Sequence, residues 1–120
     1  MKTPGPDHPI TIEANPRRIR VSLGGLSLAD SRRTLTLREA NYPPVHYIPR
    51  EDAAMTQFEP GAHVTHCPYK GDASYFSVKA GSHAIADAIW SYERPYPAVA
   101  AIAGHLAFYP DRVKIEETAD

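Results

Sequence analysis

Two stretches of strict alternation, each folded back at a glycine, constrain this chain more than anything else in it. In RRIRVSLGGLSLADS, residues 17–31, Ile19, Val21 and Leu23 point one way and Arg18, Arg20 and Ser22 the other. That is the two-residue period of a half-buried strand, and Gly24-Gly25 supplies the positive φ angles of a tight hairpin. RTLTLRE carries the alternation on through Leu35 and Leu37, so a meander of at least three strands is expected. A second hairpin is read from SYFSV and HAIADAIWSY on either side of KAGS, with Gly81 in the left-handed position. In it Phe76 and Val78 face a core, while Tyr75 lies on the opposite face with Ser77.

The intervening and terminal segments are shorter and broken. In NYPPVHYIPRED, Pro43, Pro44 and Pro49 each remove a ladder donor, leaving Val45 to Ile48 as a short edge strand. Residues 50–61 have room for a helical turn. In YPAVAAIAG, Pro97 suits a helix start and Gly104 a C-cap, which makes residues 97–103 the one short helix. Leu106, Phe108, Val113 and Ile115 then form a final strand pair around PD. Many short strands with one small helix indicate a mainly β fold, a small antiparallel barrel or sandwich. Residues 1–16 read as an N-terminal extension and 17–120 as a single β-rich domain. At 120 residues one core suffices, and 12 prolines, about twice ordinary usage, favour turns over long helices.

Charge and motif content remove several function classes. A formal net charge of -1 gives no general attraction to nucleic acid or membrane. The arginines crowding the first third, Arg17 to Arg38, are accounted for by a solvated strand face. The longest apolar-rich run, AVAAIAGHLAFY, falls short of the roughly 20 residues a membrane helix needs. A single cysteine excludes an intrachain disulfide, and MKTPGPDHPITIE has no apolar signal-peptide core, so the expected address is the cytoplasm. There is no G-x-G-x-x-G or G-x-x-x-x-G-K-[ST] phosphate cradle, no D-x-D pattern to clamp a metal pair and no G-x-S-x-G elbow. His63, His66 and Cys67 are ligand types in a compact run, with His46 and His83 elsewhere. Structural zinc, however, takes four ligands in spaced pairs, so no metal and no cofactor is expected.

What remains is THCPYKG, residues 65–71. A cysteine is reactive as its thiolate, and His66 or Lys70 would lower its pKa if the turn brought them close. Cys67 is thus open to three readings: a nucleophile with His66 as base, a pocket-lining residue, or a small buried hydrophobe.

The phrases ADSRRTLTLRE, YPPVHYIPRED, THCPYKGDASYFSV and WSYERPYPAVAAIAGHLAFYPDRV closely resemble, in the same order, the family known as domain of unknown function 427. The resemblance runs from about Arg18 to Ile115. It implies a small, mostly β, bacterial-type domain of undetermined activity, with a β-tent-like architecture, though without the two cysteine pairs of zinc-binding tents. On its motif blocks lie Tyr47, Arg50 and Glu51; His66, Cys67, Tyr69, Lys70 and Gly71; Tyr75; and Trp90, Ser91 and Tyr92. Aromatic walls with a few polar handles suit a cleft. The leading expectation is therefore a soluble domain that binds a small polar or anionic molecule in a pocket formed by residues 47–51, 66–71 and 90–92. Arg50 and Lys70 would supply the charge. The alternatives are an enzyme using Cys67 with a histidine base, and an interaction module pairing through a strand edge.

Overall fold

The computed structural model describes residues 1–119, and its strands form three antiparallel sheets. The strands are β1 Ile10–Asn15, β2 Arg18–Leu23, β3 Leu26–Ser31, β4 Thr34–Glu39, β5 Val45–Tyr47, β6 Phe58–Cys67, β7 Gly71–Ala80, β8 His83–Ser91, β9 Ala107–Phe108 and β10 Lys114–Thr118. The sheets run β1-β4-β5, β10-β2-β3 and β6-β7-β8-β9. The architecture is sandwich-like, with no closed barrel.

Both expected hairpins form. Gly24 and Gly25, at φ 56° and 82°, turn β2 into β3, and Gly81, at 62°, turns β7 into β8. The expected meander does not continue into β4. Ser31 Oγ donates to Asp52 Oδ2 at 2.7 Å and accepts the Arg33 N–H at 3.0 Å, which turns the chain out of the β2-β3 sheet. Residues 53–54 then take the place beside β3, through the Ala29↔Ala53 bridge and an Ala54 N–H to Leu28 carbonyl bond. β4 instead pairs with β1 over Ile10↔Glu39 to Asn15↔Thr34. Residues 1–16, expected as an extension, thus supply a sheet strand.

The expected final strand pair is also split. β9 adds to β8, whereas the turn in which the Arg112 and Val113 N–H groups donate to the Tyr109 carbonyl sends β10 across to β2. Alternation marks a strand and its faces but says nothing about its partner.

The expected short helix forms over residues 97–102 as a 3₁₀ segment kinked at Val99. Val99, at the kink, and Ile102 are both fully buried and anchor the segment to the second apolar cluster. Gly104, at φ 71°, closes the segment.

β7 carries an apolar cluster on each face. Phe76, Val78 and Ala80 join Ile19, Val21, Leu28, Ile48 and Phe108 in the first. Ala73 and Tyr75 join Leu37, Tyr47, Tyr92, Val99 and Ile102 in the second. Tyr75 is opposite Phe76, as the alternation requires, but it is buried as well.

Candidate functional site

The structure gathers most of the motif residues into the second cluster, where they pack on one another. Tyr47, Tyr75 and Tyr92 are each no more than 7% exposed, and Cys67 and Trp90, both half-buried, lie against them. Their polar tips are largely partnered. The Trp90 indole N–H donates to Tyr47 Oη at 3.2 Å, and Tyr75 Oη bonds Thr65 Oγ1 at 2.9 Å and Tyr109 Oη at 3.3 Å. Burial raises the Tyr47 and Tyr92 phenols far above their ordinary value and pushes Tyr109 up to about 12, so all three stay neutral.

Lys70 is buried at the margin of this cluster. Its ammonium donates to Glu39 Oε1 and lies 5.9 Å from the Tyr92 ring, while His8 Nε2 bonds the other Glu39 oxygen at 2.8 Å. Burial pulls the Glu39 carboxyl upward, but these two bonds outweigh it and hold the group below its usual range. Tyr69 stacks on His8 with ring centroids 3.9 Å apart. The Lys70 charge, expected to face a ligand, is thus buried and paired within the chain by Glu39.

Other motif residues diverge. His66 and Cys67 are neighbours on β6, so their side chains leave opposite faces. His66 is exposed, with Nδ1 2.7 Å from Asp72 Oδ1, while Cys67 turns toward the tyrosines. Arg50 donates to the Gly104 carbonyl at 2.6 Å, pairs with Glu93 and lies over the Phe76 ring. Glu51 is exposed, 3.9 Å from Arg33. Among the described residues no group of three or more His, Cys, Asp and Glu side chains is placed to hold a metal ion.

The open concavity lies on the far side of β5. Because Tyr47 points into the second cluster, Pro44, His46 and Ile48 face the other way, toward the β10-β2-β3 sheet. Between these sheets is an apolar cleft of about 380 Å³, whose walls include Tyr42, Val45, Trp90, Pro110 and Ile115. Pro44 and His46 are shared with a polar cleft of about 440 Å³ containing Asn15, Arg17, Arg38 and Glu117. The two together form a wedge, apolar where it narrows and charged at its mouth.

His46 stands at the junction. Nδ1 lies 2.9 Å from Thr36 Oγ1 and Nε2 3.2 Å from Glu117 Oε1. Its pKa is lowered, chiefly by burial and further by the Arg38 cation, against the opposing pull of Glu117. Arg17 pairs with Glu117 at 2.9 Å, and Arg18 with Asp30 at 2.6 Å. Arg38 is exposed and, among the described residues, has no hydrogen-bond or ion-pair partner.

Of the expected site residues only Trp90 reaches this wedge. Tyr42, His46 and Arg38 belong to it unforeseen, and the available signal was the alternation that sets Pro44, His46 and Ile48 on the face opposite Tyr47.

A family model described as Domain of unknown function (DUF427) matches residues 11–119, nearly the whole chain. No curated protein matches it.

Proposed function

The chain belongs to the family described as Domain of unknown function (DUF427), and we propose that it binds a small amphipathic molecule, apolar at one end and anionic at the other, in the wedge between its two three-stranded sheets. The observation that carries this reading is the sharing of Pro44 and His46 by an apolar and a charged cleft. The apolar half favours a ring or short chain against Trp90, Val45 and Ile115, because each Å² removed from water contributes about 25 cal/mol. At the mouth, Arg38 is unpaired and a guanidinium matches a carboxylate, sulfonate or phosphate head. His46, held toward its neutral form, fixes the junction without adding a further charge to those of Glu13, Arg17, Arg38 and Glu117 at the mouth. The expectation of a small polar or anionic ligand is retained and moved from the motif cluster to the wedge.

Trp90 is the only tryptophan and lines the apolar half, so its emission responds to a ligand seated there. Titration with the amphipathic anion 1-anilinonaphthalene-8-sulfonate should change that emission saturably while far-UV circular dichroism stays constant. Arg38→Gln should weaken the sulfonate about tenfold and leave the uncharged N-phenyl-1-naphthylamine unaffected. A linear, unsaturable response, or equal loss for both dyes, would overturn the reading.

A further inference from the structure

A separate polar site is built where both neighbours of β7 leave the ladder. Between Pro60↔Phe76 and Val64↔Ser74, residues 61–63 of β6 stand opposite Tyr75 alone. Between Phe76↔Ile89 and Val78↔Ile85, residues 86–88 of β8 stand opposite Ser77 alone. Such bulges re-aim side chains and recur beside functional sites. At the centre of the second, Asp87 has φ 49°, a region residues other than glycine seldom occupy. Its backbone is fixed on both sides: its N–H donates to Ser77 Oγ at 3.0 Å, and its carbonyl accepts from Arg112 Nη1 at 2.7 Å. Gly61 leaves room for the carboxylate, since a Cβ there would stand 3.3 Å from Asp87 Oδ1.

The result is a cleft of about 350 Å³ lined by His63, Tyr75, Ala86, Asp87, Tyr109 and Arg112. The Tyr75 and Tyr109 rings lie nearly parallel, 8° apart, and His63 stands 4.7 Å from Tyr75. Arg112 lies over Tyr109 at 4.9 Å. Among the described residues neither the Asp87 carboxylate nor the His63 imidazole has a hydrogen-bond or ion-pair partner, and Arg112 uses only Nη1, on the Ala86 and Asp87 carbonyls. A carboxylate and a guanidinium in one cleft ordinarily pair. Here the two carbonyl bonds and the tyrosine face hold Arg112 away from the carboxylate, and both charges keep unused hydrogen-bonding capacity.

We propose that this cleft binds a small zwitterion of the amino-acid class, with Asp87 receiving the ammonium, Arg112 the carboxylate, and Tyr75 and Tyr109 forming the wall. A ligand with only a negative charge meets Asp87, and one with only a positive charge meets Arg112. A molecule with both satisfies the two at once. The volume suits an amino acid or a dipeptide. The site shares no lining residue with the wedge, so each stands or falls separately.

Amide chemical shifts of the ¹⁵N-labelled protein, titrated with the free L-amino acids and with acetate and ethylamine as single-charge probes, test it. At least one amino acid should saturably shift the amides of His63, Asp87 and Arg112, while neither single-charge probe does so at the same concentration. Asp87→Asn retains a residue tolerant of the left-handed backbone, and it and Arg112→Gln should each weaken that response at least tenfold. The proposal is overturned if no amino acid shifts these amides saturably, if acetate or ethylamine does so equally well, or if the response survives in the folded Asp87→Asn protein.

Discussion

The second cluster and the inter-sheet wedge meet at Trp90, and they use similar side chains to opposite ends. In the cluster, Tyr47 caps the indole N–H, Tyr75 and Tyr109 share a hydroxyl pair, and Lys70 is neutralised by Glu39. Every one of these polar handles is turned on another part of the chain. In the wedge the walls of Tyr42, Val45 and Ile115 face an opening, and the Arg38 charge has no internal counterpart. Aromatic residues with polar tips therefore do not by themselves mark a binding site. What separates the regions is whether neighbouring strands close over those tips, since a buried polar group must be paired while one at an opening is hydrated.

The sharpest way to break this contrast is Lys70→Met. If Lys70 is structural, the change leaves the Glu39 carboxylate buried beside an apolar stem and destabilises the fold by about 2–4 kcal/mol, read from urea unfolding at neutral pH. A second change, Glu39→Gln, should recover part of that loss in a double-mutant cycle. A Lys70→Met protein as stable as the parent would mean that the ammonium is hydrated and that the cluster is more open than the packing indicates.

Tyr47→Phe is a gentler test of the same region. It keeps the ring but removes the acceptor for the Trp90 N–H, and a loss of about 1–2 kcal/mol is expected, with a shift in Trp90 emission. The same substitution should leave dye binding in the wedge within threefold of the parent, since the hydroxyl faces away from it.

The smallest effect distinguishes the regions by pH. Glu39 is depressed below its ordinary 4.5, so its contribution is complete above that value and is lost as pH falls through the folded pKa. His46 is depressed below 6.5, so the folded state resists its protonation; stability is full above 6.5 and declines as pH drops through the window beneath it. Urea midpoints measured from pH 8 to 3 should therefore fall in two stages. His46→Gln should remove the upper stage and Lys70→Met should blunt the lower. A single acid transition unchanged by His46→Gln would show that the wedge histidine is not held neutral.

Much of this molecule is legible before folding is considered. The alternation around Ile19, Val21 and Leu23 gives a strand, and Gly24-Gly25 and Gly81 give the hairpins, because residue period and left-handed backbone are local properties. The motif blocks, read by resemblance, gave the family. The candidate site was less legible for the same reason. THCPYKG is rich in reactive residue types, yet one step along β6 places His66 in solvent and Cys67 among tyrosines, and which face is covered depends on sheets distant in sequence. Asp87 gave no sequence signal, since its exposure to a cleft comes from two bulges in separate strands.

The sequence by itself determined the mainly β class, the two hairpins, the family and the left-handed glycines. Only the tertiary structure decided that β4 pairs with β1 rather than β3, that β9 and β10 part to different sheets, that Lys70 is buried against Glu39, and that a wedge opens behind Tyr47. Period and turn chemistry act within a few residues, whereas strand partners and covered faces are chosen by burying apolar surface across the whole chain, with nearly all buried polar side chains paired where the packing brings them and, among the described residues, the Thr34 hydroxyl left without a partner.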